Sequence, residues 1–165
     1  MRLPGSRRSC PDLSRSHRGR RGLRRVPLTL KHARECIERG IAKAHALGFN
    51  VAIAIVDESG HLVICERMDS ALWVTPEIAR AKANAAAGFQ ATTLDLEERF
   101  SKRMLFADNV ATLGDYRFVF GKGGVPIVEH GHVVGAVGVS GAVPAENDHT
   151  IADAAAGHPT LSKSH

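Results

Sequence analysis

Two pairs of apolar, β-branched stretches are joined by turns too short for anything but a hairpin, and this limits the fold more than any other feature. "VAIAIVD" (51–57) runs into "ESG" (58–60) and then "HLVICERM" (61–68). "VPIVE" (125–129) runs into "HG" (130–131) and then "HVVGAVGVS" (132–140). A parallel pair needs a crossover of roughly a dozen residues or more, so these connections predict antiparallel pairing. Gly131 can take the positive φ that a two-residue turn requires, and His130 tolerates it better than a β-branched residue would.

The glycines of the second pair invite a different reading, because residues 121–141 contain seven of them. A dinucleotide fingerprint needs G-x-G-x-x-G between a parallel strand and its helix. The chain has G-A-V-G-V-S-G instead, no acidic residue follows a second strand, and the lysine and hydroxyl of a Walker A loop are missing. Gly135 and Gly138 therefore read as strand glycines that let a helix or another subunit approach closely. Ser140 in "GVSGA" fails the G-x-S-x-G pattern at its last position, and the elbow it would need belongs to a parallel sheet.

Around the hairpins the periodicity predicts helices. Leu30, Ala33, Ile37, Ile41 and Ala44 share one face of a helix over 30–47, with Thr29 as N-cap and "GFN" as its end. "TPEIARAKANAAAGF" (75–89) predicts a helix with Thr75 as N-cap and Pro76 in its first turn. Residues 92–106 predict a further helix, "YRFVF" (116–120) a further strand, and Pro144 the opening of a last helix. Strands joined by hairpins and flanked by helices predict an α+β domain: three α-β-α layers around a five-stranded, mainly antiparallel sheet.

Charge divides the chain. Residues 1–27 hold nine of the 22 Lys/Arg and one acid, Asp12, so this segment carries about +8 and the remainder about −3. It reads as a disordered Arg-rich extension before a domain over 28–157 and a flexible tail over 158–165, with nucleic acid an unlikely partner. No apolar run has the length of a signal peptide or a membrane span. Cys10, Cys36 and Cys65 are too few and too scattered for a disulfide framework, so a reducing cytoplasm is the expected setting.

Among candidate functional residues Lys82 is the most informative. It shares a helix face with Ile78, Ala85 and Phe89, so an ammonium stands inside an apolar stripe and needs a carboxylate or an anionic ligand. Asp57 and Asp69 are the internal partners the sequence offers. Gly123 and Gly124, ahead of Pro126, form either an anion-binding corner or a conformationally demanding turn. Arg67 and Asp69 flank Met68 at a strand end, placed to pair with each other, with a neighbour or with ligand. His32 lies off the apolar face of its helix, facing solvent or another subunit, where an exposed histidine could serve as a ligand. His130 and His132 form an H-x-H pair without a third ligand in local reach, so no metal site is expected. His149, with Glu146 and Asp148, could serve catalysis, although acids at a helix N-terminus need no such role.

"VAIAIVDESGHLVICERMDSALWVTPEIARAKANAA" (51–86), "GGVPIVEHGHVVGAVGVSGA" (123–142) and "AENDHTIADAA" (145–155), in that order, resemble the GlcG/HbpS family, the DUF336 domain also found at the end of some corrinoid adenosyltransferases. The resemblance covers about residues 28–156. It implies a profilin-like α-β-α fold and a homo-oligomer, from a dimer up to an octamer. It also implies a small-molecule ligand, with haem or a related tetrapyrrole first and roles in storage, sensing or degradation. Within the family's motif Lys82 would lie under a pocket made with the G-G-V-P loop. An alternative is a small isomerase or lyase whose Lys82 anchors a substrate carboxylate, with catalytic residues unknown.

Overall fold

In a computed structural model the described residues are 27–157. The segments read as an Arg-rich extension and as a C-terminal tail lie outside them, apart from Pro27. The elements run α1 (Leu30–Leu47), β1 (Ala52–Asp57), β2 (Leu62–Arg67), α2 (Thr75–Phe89), α3 (Thr93–Phe100), α4 (Met104–Val110), β3 (Gly124–Glu129), β4 (His132–Ser140) and α5 (Glu146–Ala156). The sheet order is β2-β1-β4-β3 and every neighbouring pair is antiparallel. Both expected hairpins form. His130 (φ 50°) and Gly131 (φ 78°) turn the second one, pairing Glu129 with His132. In the first, the Asp57 carboxylate accepts the N–H groups of Ser59 and His61, each at 2.9 Å.

The two faces of the sheet differ in side-chain size. Ile53, Ile55, Val125, Ile127, Val137 and Val139 pack with Ile37 of α1 and Ile151 of α5 in the principal core. The opposite face offers Ala52, Ala54, Val56 and Ala136 to Ala79, Ala83 and Ala86 of α2. Small residues on both sides bring α2 almost onto the sheet backbone. A Cβ at Gly138 would collide with the carbonyl oxygen of Ala79 and stand 2.7 Å from the nitrogen of Ala83. Gly138 is thus a strand glycine required by a helix.

Four sequence expectations need correction. The sheet has four strands among the described residues, not five. Tyr116–Phe120 is extended but pairs with no strand. Val119 N–H donates to the Ala81 carbonyl of α2 and Phe118 N–H to that of Ala111. Phe118 and Phe120 pack edge-on against Phe89, and Phe120 also packs on Phe100. An aromatic, β-branched run serves a helix-packed strap as well as it serves a strand, which is why its pattern misleads. Residues 92–106 break into α3 and α4, because Ser101 caps the first helix through Glu98 and Arg103 leaves helical geometry at φ −134°. Thr75 is the first residue of α2 rather than its cap, with its hydroxyl donating to the Leu72 carbonyl at 2.7 Å. The last helix begins at Glu146, two residues after Pro144. Thr29 does cap α1, accepting the His32 N–H at 3.1 Å, and Gly48 ends that helix at φ 76°.

Two glycine substitutions check this packing. Gly138→Ala, which sets a methyl group against helix backbone, is expected to cost more than the ~3 kcal/mol typical of overpacking. Gly88→Ala, whose Cβ would meet only the Phe118 ring at 3.6 Å, is expected to stabilise α2 by about 0.5–1 kcal/mol. Urea unfolding of both proteins measures the difference, and equal effects would refute the close approach of α2.

Candidate functional site

Lys82 stands in the middle of α2 and is 5% exposed. Its Nζ donates to Asp148 Oδ2 at 2.8 Å and to the Val139 carbonyl at 2.9 Å. Asp148 belongs to the first turn of α5, which packs on the other face of the sheet. Its second oxygen accepts the Ala142 N–H at 2.9 Å. The ion pair therefore links the two helical layers around the end of β4, and neither sequence candidate, Asp57 or Asp69, is the partner. Burial pushes the Asp148 carboxyl up from the usual range, while the Lys82 ammonium and the N–H groups of Ala142 and Gly141 pull the other way.

Glycine is what lets the pair close. Gly123 has φ 116°, and a Cβ there would fall 2.8 Å from Asp148 Cβ and 3.2 Å from Lys82 Nζ. A Cβ on Gly124 would lie 2.5 Å from the Lys82 carbonyl oxygen. Gly124 N–H is already committed, donating to Thr93 Oγ1 at 2.7 Å. Pro126 follows within β3, opposite Ala136, on an edge strand where its missing N–H is tolerated. Lys122 and Glu146 form a second, outer ion pair beside this corner. Lys82, Gly123 and Gly124 thus meet in one corner, the juxtaposition that the family resemblance implied, with Pro126 next along the strand. The anion that meets the ammonium is the chain's own. Asp148 was legible only as an acid at a helix start, because nothing in local spacing connects positions 66 residues apart.

The remaining candidates lie elsewhere. Arg67 and Asp69 line a cleft of about 300 Å³ with Ile41 and His45 of α1, together with Asn50 and Met68. Arg67 also donates to the Ala71 carbonyl at 3.3 Å. His32, near the start of α1, sets Nδ1 2.7 Å from Glu129 Oε1 at the end of β3, with a quarter of its side chain accessible. A carboxylate at Nδ1 holds the proton on that nitrogen and leaves the Nε2 lone pair for a ligand. The sequence singled out His32 but not its partner Glu129, since only the β3–β4 register brings that residue to the helix. His61 pairs with Asp57 at 3.2 Å on the first hairpin, and His149 Nε2 lies 3.5 Å from Asp153. Among the described residues no group of three or more His, Cys, Asp or Glu could hold a metal ion, and no helix is long and apolar enough to cross a membrane.

Residues 28–157 match the family described as Haem degrading protein HbpS-like. The chain belongs to that family. The protein GlcG of Escherichia coli K12 is 34% identical over 116 residues, which is 70% of this chain and 83% of GlcG. The crystal structure of a Streptomyces reticuli HbpS double mutant superposes with a TM-score of 0.73 at 27% identity, covering 90% of this chain and 96% of that one. A crystal structure of a PduOC:heme complex follows at 0.72 and 26%, covering 82% and 96%. These likenesses confirm the helix-flanked antiparallel fold and the family, and one neighbour was crystallised with haem.

The buried pair makes its own prediction. Lys82→Met or Asp148→Asn removes one partner and strands the other, at an expected cost of about 3–5 kcal/mol. Removing both charges in Lys82→Met/Asp148→Leu should restore much of that loss, so the cycle is strongly non-additive. Urea denaturation of the three variants tests it, and additive losses would show that the two side chains are not coupled.

Proposed function

We propose that this protein is a haem-handling module that binds haem or a closely related tetrapyrrole for storage, sensing or degradation, with His32 as an axial ligand. The observation that carries the reading is the His32–Glu129 pair. A half-buried imidazole is held by a carboxylate at 2.7 Å, in the tautomer whose other nitrogen can ligate iron. Leu30 and Val128, beside these two residues in sequence, keep apolar side chains 47% and 46% exposed. They fit the rim of a flat hydrophobic guest. Bound haem would supply a redox-active iron, while the chain supplies the ligand nitrogen, its orientation and an apolar margin.

In this reading Lys82, Gly123, Gly124 and Pro126 act on the site through β3, the strand that begins in the ion-pair corner and ends at Glu129. An external carboxylate at Lys82, as a substrate anchor or a propionate anchor would require, has to compete with Asp148 for the ammonium. Self-association completes the picture. Trp73, Leu105 and Val143 are 81%, 77% and 82% exposed, apolar side chains that a second subunit could cover. Free Cys36 and Cys65 accord with a cytoplasmic setting.

Titrating the purified protein with hemin and following the Soret band tests the assignment. Saturable binding with a shifted band is expected, with loss of the axial-ligand signature in His32→Ala. Glu129→Gln should keep the ligand but weaken binding about tenfold, as loss of a partner behind a metal-bound histidine does. An unshifted band, or a shift indifferent to His32→Ala, would overturn the proposal.

A further inference from the structure

Helix α4 is apolar out of proportion to what it packs against. Five of its seven residues, Met104, Leu105, Phe106, Ala107 and Val110, are apolar, and none of the seven is buried. Successive helical residues turn by about 100°, so Met104, Leu105 and Phe106 point three ways about the axis. A helix apolar all round is ordinarily covered on every side. Here the cover is partial. Ala107 packs against the cluster of Leu96 and Phe100, and the Phe106 ring stands 5.2 Å from that of Phe100, with the Arg103 guanidinium 4.5 Å above it. Met104 and Leu105 remain 62% and 77% exposed.

Beside this ridge lies a hole. Phe100, Met104, Ala107, Ala111 and Phe120 line a cleft of about 400 Å³, with the exposed Glu97 and Asp108 among its walls. Ridge and cleft belong to one patch, as a two-fold contact requires, because each copy must offer and receive the same surface. Charge agrees. Lys102 and Arg103 precede α4, Asp108 lies in its second half, and Glu97 of α3 adds another acid. Neither Lys102 nor Asp108 forms an ion pair with another described residue. Crossing two copies of α4 antiparallel sets the basic end of each beside the acidic part of the other. The same acids disfavour an anionic lipid surface, the other usual destination of an exposed apolar helix. We propose that two copies of this chain associate about a two-fold axis through α4, with Leu105 of each seated in the Phe100–Phe120 cleft of the other. The assignment rests on the self-association proposed above, whose surface it names, and is independent of haem.

Sedimentation equilibrium of the full chain should show a dimer or a multiple of it. Leu105→Asp, at a position exposed in the single chain, should weaken that contact about a hundredfold while the circular dichroism of the folded chain is kept. Lys102→Glu and Asp108→Lys should each weaken it about tenfold, and the double exchange should recover most of the loss. A monomeric wild-type chain would overturn both this surface and the self-association reading. An oligomer indifferent to Leu105→Asp would overturn the surface alone, as would a double exchange no tighter than the single changes. A monomer that co-sediments with phosphatidylglycerol vesicles, and loses them in Leu105→Asp, would assign α4 to lipid and overturn the proposal.

Discussion

The separation between α2 and the sheet governs the rest of this structure. On that face the strands carry mostly small residues, alanine and glycine above all, and the helix answers with alanine, so backbone nearly touches backbone at Gly138. Such contact buries little area per residue but leaves no room for adjustment, since packed interiors tolerate neither voids nor added methyl groups. The isoleucine and valine core on the other face supplies most of the hydrophobic stabilisation. The two faces divide the work: one provides burial, the other fixes where α2 lies.

That fixed helix explains why a lysine is tolerated in its interior. A Lys82 ammonium reaching past the end of β4 meets a carbonyl and a carboxylate at 2.9 and 2.8 Å, and Gly123 keeps the passage clear. Against well-packed apolar residues a buried ion pair contributes little to stability, because desolvation offsets the attraction. It does penalise misassembly. If α5 docked one turn out of place, both charges would be buried alone. The pair ties α2 to α5 across the end of β4, beside the outer Lys122–Glu146 ion pair.

Much of this was legible in the sequence, for identifiable reasons. Hairpins declare themselves through turn length, and helix α1 through its Thr29 cap and its period. Lys82 stood out because a charge in an apolar stripe demands a partner. What stayed hidden depends on chain segments meeting at a distance. Asp148 and Glu129 become partners of Lys82 and His32 only after β3 and β4 have paired and α5 has folded back. The strap at Tyr116–Phe120 has the composition of a strand, and its fate is decided by Phe89 and Phe100, which offer an aromatic cluster in place of a sheet edge. The ligand set and the boundary between α3 and α4 follow from such tertiary choices.

Filling both faces has a functional consequence. Among the described residues the sheet is covered on one side by close-packed alanine and on the other by isoleucine and valine, so the cleft at Arg67 and Asp69 lies at its rim. Several polar features among the described residues lie there. His32 and Glu129 meet where α1 crosses the end of β3. Arg67 and Asp69 border a cleft beyond the end of β2. Rim sites can change without disturbing the core. Architecture and function are thereby separable: the buried ion pair belongs to the packed layers, whereas the carboxylate-held histidine lies at their margin.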